Sequence, residues 1–211
     1  MYVDPLMFCE FNEVVIQALG RSGDGDALEE LTIEFFGTDK LFYYFAAFNM
    51  LLRNLRRVRL IGCWELNNEM IVKFVEAHPM LEEFELILMS PEIETIEGIG
   101  RSCKNLKSFR LNYRARTVQN YTDFDEESYV YEANGEATAI AKTMPNLRRL
   151  DLYGNLLGSR GLQAILDGCP HLEFLDLRQC TFISLKGDAL KNCVEKVKEV
   201  KLPNNPTCLS Y

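Results

Sequence analysis

The chain has 211 residues, of which 26% are charged and 47% hydrophobic, with a formal net charge of -8 and a pI near 5.0. A charged content near the globular average fits one folded unit long enough to bury a continuous core. The acidic balance argues against nucleic acid or an anionic membrane surface as the main partner, because both attract basic proteins.

Taken in chain order, Met1 to Leu6 has no basic region followed by an apolar core, so no secretory signal is expected. Residues 1–27 read as an N-terminal helical segment, around Phe11 to Leu19, and a loop, Gly20 to Asp26, whose glycines match no phosphate-binding fingerprint. From Leu28 a spaced triplet of the form apolar-x-x-apolar-x-apolar begins to repeat. It returns as Leu28/Leu31/Ile33, Leu55/Val58/Leu60, Leu81/Phe84/Leu86, Leu106/Phe109/Leu111, Leu147/Leu150/Leu152, Leu172/Leu175/Leu177 and Val197/Val200/Leu202. All 21 positions are Leu, Ile, Val or Phe, where composition alone would make roughly half of them apolar.

The triplets start 27, 26, 25, 41, 25 and 25 residues apart. A leucine-rich repeat spans about 20–29 residues, so a single interval needs an insertion. Inside each triplet the alternation has the period of a half-buried strand. Ahead of the next triplet, apolar or small residues follow a helical stripe: Ile71, Phe74, Val75, His78; Ile96, Ile99, Gly100, Cys103; Ala137, Ile140, Ala141, Met144; and Leu162, Ile165, Leu166, Cys169. One strand-and-helix unit cannot bury both faces alone, so the units must stack. The expected fold is α/β: a right-handed leucine-rich-repeat solenoid over residues 28–211, about seven repeats, with parallel strands on the concave face and helices on the convex face.

The longest apolar stretch, Leu41 to Leu52, is too short for a membrane span and reads as the first repeat's helix. Being apolar nearly all round, it either buries Leu41, Phe42, Tyr43, Tyr44 and Phe45 or leaves part of them as a contact surface.

On the concave face the residues between core positions form columns. One column reads Thr32, Arg59, Glu85, Arg110, Asp151, Asp176, Lys201, and its neighbour reads Glu30, Arg57, Glu83, Ser108, Arg149, Phe174, Glu199. Strands about 4.8 Å apart would let Arg59, Glu85, Arg110 and Asp151 form a ladder of alternating charge, provided the long fourth interval keeps register. Ile61, Ile87, Asn112 and Tyr153 follow their strands, and Phe174 projects from the sixth. Tyr153 and Phe174, flanked by Asp151, Asp176 and Arg178, read as an aromatic anchor with a charged rim or as scattered apolar surface. The partner-binding set is therefore Arg57, Arg59, Ile61, Glu85, Ile87, Arg110, Asn112, Asp151, Tyr153, Phe174, Asp176 and Arg178.

The insertion, at about 112–136, carries Asp123, Asp125, Glu126, Glu127, Glu132 and Glu136 among Tyr121, Phe124, Tyr129 and Tyr131. It reads as a solvated loop or as a loop that engages a basic partner segment. Asn120-Tyr121-Thr122 matches a glycosylation acceptor, a pattern of little weight here.

Catalytic and metal chemistry finds no foothold. The seven cysteines include no C-x-x-C pair. Cys63 and Cys180 fall eight residues after a triplet start, as do Asn155 and Asn205, which is the Asn/Cys position of the repeat consensus. Cys103, Cys169 and Cys193 belong to helical stripes, and reduced thiols in a cytoplasmic or nuclear protein are expected. His78 takes a stripe position and His171 a turn after Pro170. No catalytic residue, cofactor or metal is expected.

Several longer strings carry more than the repeat requires: Leu31 to Asp39 (LTIEFFGTD), Gly161 to Leu172 (GLQAILDGCPHL), Leu175 to Cys180 (LDLRQC) and Val200 to Asn204 (VKLPN). They resemble the repeat region of plant F-box/leucine-rich-repeat proteins, and the likeness runs from about Gly20 to the end. The resemblance implies a non-catalytic module that captures a substrate protein for an SCF-type ubiquitin ligase. A Skp-type adaptor and cullin would join through an F-box, which Met1 to Leu19 is too short to hold. The alternative is a ligase-independent scaffold or competitor for the same target.

Overall fold

The computed structural model describes residues 28–35, 38–39, 42–43, 52–112, 126–180, 182–183, 193 and 195–203, with the backbone alone at 126–133. Phe11 to Leu19, Gly20 to Asp26, Leu41, Tyr44, Phe45, Asn120 to Thr122 and Asn205 lie outside these residues.

Each triplet forms a strand: β1 (Glu30–Glu34), β2 (Arg57–Ile61), β3 (Glu83–Ile87), β4 (Ser108–Asn112), β5 (Arg149–Asp151), β6 (Phe174–Asp176) and β7 (Glu199–Lys201). They make one parallel sheet in chain order, β1 to β7. The long interval leaves the register intact, since Ser108, Phe109 and Arg110 pair with Arg149, Leu150 and Asp151.

Period-two burial follows from that register. Val58, Leu60, Phe84, Leu86, Phe109, Leu111, Leu150, Leu152, Leu175 and Leu177 are all 2% exposed or less, each such side chain contributing about 1.5–3 kcal/mol of transfer free energy. At the ends of the stack Leu31 and Val200 are half-buried and Leu202 is exposed.

The helices are α1 (Asn68–Ala77), α2 (Ile93–Ser102), α3 (Glu126–Thr143) and α4 (Ser159–Gly168). They pack in the same order as the strands. Their buried stripes are the expected ones, apart from Ala141, which is half-buried. Gly168 lets α4 approach closely, because a Cβ there would lie 2.5 Å from the Ala141 carbonyl oxygen.

Two backbone motifs recur at fixed places and set the repeat length. Entering a strand, the triplet's first N–H donates to the carbonyl three residues back, as in Leu81 to His78, Leu106 to Cys103 and Leu172 to Cys169. Leaving it, the residue seven after the triplet start turns left-handed: Phe35 (φ 54), Gly62 (φ 60), Leu88 (φ 57), Gly154 (φ 73) and Gln179 (φ 64). In four of these the N–H then reaches the next repeat at or just past its strand's end: Phe35 to Ile61, Gly62 to Ile87, Leu88 to Asn112 and Gly154 to Arg178. Glycine adopts this turn without penalty, whereas Phe35, Leu88 and Gln179 hold it at a cost on the order of 1–2 kcal/mol each.

The expected loop at 112–136 is corrected in its second half. Residues 126–136 belong to α3, which at 18 residues is longer than its 10-residue neighbours. Glu126 and Glu127 open this helix. The added turns also secure the next repeat. Asn134 Oδ1 accepts from the N–H groups of Gly158 and Gly161 at 3.0 and 2.9 Å, covering the start of α4. Glu136, read as part of a solvated or partner-engaging loop, accepts from Asn155 Nδ2 at 3.2 Å. Asp123, Asp125, Tyr121 and Phe124 lie outside the described residues.

Candidate partner-binding face

The sheet surface opposite the helices carries the expected charge ladder. Arg59 Nε donates to Glu85 Oε2 at 2.7 Å, Arg110 Nη1 donates to the same oxygen at 3.1 Å, and Arg110 Nε donates to Asp151 Oδ2 at 2.8 Å. Parallel register is the cause, since it places Arg59, Glu85, Arg110 and Asp151 side by side. The Glu85 carboxylate, by its hydrogen bond and then its charge, holds Arg59 above its ordinary pKa. Arg57 in the adjacent column meets Glu30 at 3.3 Å in a more exposed pair. Such pairs are worth about 0.2–1 kcal/mol each and fix side-chain positions more than they stabilise the fold.

Ile61 and Ile87 stand side by side at the strand ends, both half-buried, with Asn112 next in the row. Asn112 Oδ1 is buried with no hydrogen-bond partner among the described residues.

The sixth strand departs from the expectation. Phe174 is 5% exposed, so the projecting anchor read from the alternation is corrected. Arg149 and Lys201, from the strands on either side, cover it: the guanidinium carbon lies 3.8 Å and the ammonium nitrogen 5.0 Å from the ring centroid. Asp176 is likewise buried, at 1% exposure, and so forms no open charged rim. Burial pushes its carboxyl up, but hydrogen bonds and charge from Arg178 prevail and hold it below the usual carboxylate range. Arg178 grips both oxygens through Nε and Nη2 at 2.6–3.1 Å, and its guanidinium carbon lies 5.4 Å from the Tyr153 ring centroid. Asp151 and Asp176 each spend one oxygen on the backbone two residues ahead, at Tyr153 and Arg178. Tyr153 stays 38% exposed.

Two exposed aromatics stand outside the expected partner-binding set. Phe35 is 59% and Trp64 70% exposed, with ring centroids 5.9 Å apart. Trp64 Nε1 donates to the Leu88 carbonyl at 2.9 Å, which orients the indole despite its exposure. A signal existed: Trp64 is the chain's single tryptophan and directly follows Cys63, the Asn/Cys position.

The remaining polar groups serve the stack. Cys63 Sγ donates to the Ile33 carbonyl and Cys180 Sγ to the Leu152 carbonyl, each reaching the preceding strand. Cys63, Cys103, Cys169, Cys180 and Cys193 are buried, and burial pushes the Cys103, Cys169 and Cys180 thiols up to about 12. His78 is 4% exposed and stacks on Phe74, and its Nδ1 is 2.8 Å from the Phe74 carbonyl; burial holds its pKa down. Phe42 is buried edge-on against Phe74, while Tyr43 is exposed. Among the described residues no three His, Cys, Asp or Glu side chains gather as metal ligands, and no helix is long and apolar enough to cross a membrane.

A single parallel sheet whose strands follow chain order, backed by helices stacked in the same order, defines a leucine-rich-repeat solenoid. No protein-family model matches the chain. F-box/LRR-repeat protein 23 of Arabidopsis thaliana is 41% identical over 188 residues, covering 89% of this chain and 39% of that protein. F-box protein SKIP19 of the same plant is 40% identical over 188 residues, covering 89% of this chain and 56% of its own length. The chain is a relative of the plant F-box/leucine-rich-repeat proteins and spans less than two thirds of either of these two. Among solved structures, the tropomodulin C-terminal domain of Caenorhabditis elegans is 13% identical, with a TM-score of 0.49, covering 76% of this chain and 92% of that one.

Proposed function

We propose that the chain is the substrate-binding part of an SCF-type ubiquitin ligase, a non-catalytic module that holds a target protein on its concave sheet. The observation that carries this reading is the likeness, across 89% of the chain, to proteins named for an F-box joined to leucine-rich repeats. The ordered surface of β2 to β5 supports it: ion pairs hold Arg59, Glu85, Arg110 and Asp151 in place, so little side-chain entropy is lost when a partner settles there. Ile61 and Ile87 add an apolar strip beside the charges. A Skp-type adaptor and cullin join through the F-box that the relatives' names describe. Cytoplasm or nucleus is the fitting compartment for the buried thiols of Cys103, Cys169, Cys180 and Cys193.

Affinity purification with mass spectrometry, run on this chain and on the chain joined behind an F-box, tests the reading. The joined form is expected to capture a Skp-type adaptor, and both forms a common target whose capture falls in Arg59→Glu/Arg110→Glu. Ubiquitylation of that target should require the joined form. A target captured by both forms but never ubiquitylated would favour the ligase-independent scaffold, and no target sensitive to the two arginines would overturn the concave-face assignment.

A further inference from the structure

The Phe35–Trp64 pair sits where β1 and β2 end, on the same rim as Tyr153 but at the opposite end of the sheet. Three observations set it apart from scattered apolar surface. The indole is tied by its N–H to the Leu88 carbonyl, so a large exposed ring is held in one orientation. Phe35 keeps a left-handed backbone (φ 54), which a bulky side chain adopts only under constraint, yet its ring is left 59% exposed. Beneath both rings lies Gly62, whose missing side chain makes the space: a Cβ there would stand 2.7 Å from Phe35 Cδ1 and 3.3 Å from Trp64 Cζ2.

Charge around the pair is mainly negative, with Arg59 close enough to interact with Glu34 and Lys73 paired to Glu69. Among the described residues at 33–39, 61–72 and 87–96 are Glu34, Asp39, Glu65, Glu69, Glu92 and Glu94, with no Lys or Arg. Asp39 is engaged with the Asn67 backbone N–H and Glu69 with Lys73, whereas Glu34 and Glu65, the direct chain neighbours of the two rings, are both exposed. The same face of the sheet shows what two of its aromatics take. Phe174 has Arg149 and Lys201 over it, and Tyr153 has Arg178. A ring face is electron-rich and attracts a cation, an indole most of all.

We propose that the Phe35–Trp64 corner is a docking site for a lysine- or arginine-bearing segment of a partner protein, whose cation covers the rings while Glu34 and Glu65 meet its charge. This deepens the reading of the molecule as a protein-recognition module and rests on it, but not on any ligase role. It places the basic part of the partner at the β1–β2 end of the rim, beyond the charge ladder.

Trp64, as the chain's single tryptophan, reports on the site directly. The intact chain is titrated at low salt with a short peptide of alternating arginine and serine, and separately with a glutamate–serine peptide of equal length, while Trp64 fluorescence is followed. The basic peptide should give a saturable change that weakens with salt, and the acidic peptide none. By anisotropy of the labelled basic peptide, Trp64→Ala should lower affinity about three- to fivefold, Trp64→Phe less, and Glu34→Gln/Glu65→Gln should flatten the salt dependence. No saturable change, an equal response to the acidic peptide, or unaltered affinity in Trp64→Ala overturns the proposal. Target capture that depends on Arg59 and Arg110 is a separate readout: if it persists while the peptide fails, this site alone falls, and if the peptide binds without any such capture, the concave-face reading falls instead.

Discussion

Aromatic side chains stand on the polar side of this sheet at both ends, and the two ends treat them differently. Near β5 and β6 the rings are satisfied from within: Phe174 lies under Arg149 and Lys201, and Arg178 reaches over Tyr153 while gripping Asp176. At the ends of β1 and β2, Phe35 and Trp64 lie beside each other over Gly62, the indole N–H on the Leu88 carbonyl, with much of both rings open to solvent. A cation drawn over a ring by a neighbouring strand consumes both groups, leaving a closed, structural surface. An oriented ring without one retains its capacity for a partner. The difference lies in the neighbouring columns rather than in the rings themselves.

The strongest test of this contrast is at the closed end. Phe174→Ala removes a ring that is 5% exposed and leaves Arg149 and Lys201 without the face they cover. A loss of about 3 kcal/mol is expected, at the lower end of the range for buried phenylalanine. Thermal unfolding should show it as a fall in Tm of roughly 6–12 °C. A shift near zero would place Phe174 with the open rings and dissolve the distinction.

Why the ladder was legible in the sequence and the surroundings of the rings at either end were not follows from the geometry of a repeat. Burial is periodic, so Val58, Phe84, Phe109, Leu150 and Leu175 announce their strands, and equal offsets become equal heights in the sheet. That is why the pairing of Arg59, Glu85, Arg110 and Asp151 could be read from spacing alone. Offset also says which side of the sheet a residue is on, but not which neighbour leans over it. Phe174 does stand on the polar side; Arg149 shares its row, and Lys201 reaches it from two positions further along the next strand. Trp64 and Phe35 escaped for the opposite reason, being outside the triplets in the turn that leaves each strand. Among the described residues only Gly62 and Gly154 mark that left-handed turn by composition, because Phe35, Leu88 and Gln179 occupy it without glycine. The insertion misled through its acids, which read as solvated loop yet at Glu126 and Glu127 begin a helix.

Arg178→Ala probes the closed end through pH. The folded Asp176 carboxyl sits below its ordinary range, so its contribution to stability is present above the unfolded value of about 3.9 and is lost as pH falls through the folded one. Without Arg178, burial remains as the leading influence and pushes the carboxyl up. Acid destabilisation should therefore begin at higher pH in the variant, seen as denaturant midpoints that diverge from those of the parent as pH is lowered from neutrality. Parallel curves would mean that Arg178 is an ornament on Tyr153 rather than the partner that lets Asp176 stay charged while buried.

At the open end the effects are smaller. Gly62→Ala adds a Cβ at φ 60 that would meet the Phe35 ring at 2.7 and 2.9 Å. The backbone conformation and the contact together should cost about 1–2 kcal/mol. The more telling readout is Trp64 fluorescence, which should change because the rings are forced apart. An unchanged spectrum would show that Gly62 is there for the turn alone.

The smallest expected change is the one that completes the contrast. Trp64→Ala deletes the largest side chain in the protein, yet the indole is 70% exposed and its one described hydrogen bond ends on the Leu88 carbonyl, whose half-buried residue lets water replace the donor. The loss should stay within about 0.5 kcal/mol, as for surface substitutions outside packed contacts. Measured side by side, Phe174→Ala and Trp64→Ala remove aromatic rings from the same side of one sheet and should differ several-fold in cost. Should Trp64→Ala prove as damaging as Phe174→Ala, the β1–β2 corner is part of the folded core, and its rings have no binding capacity to spare.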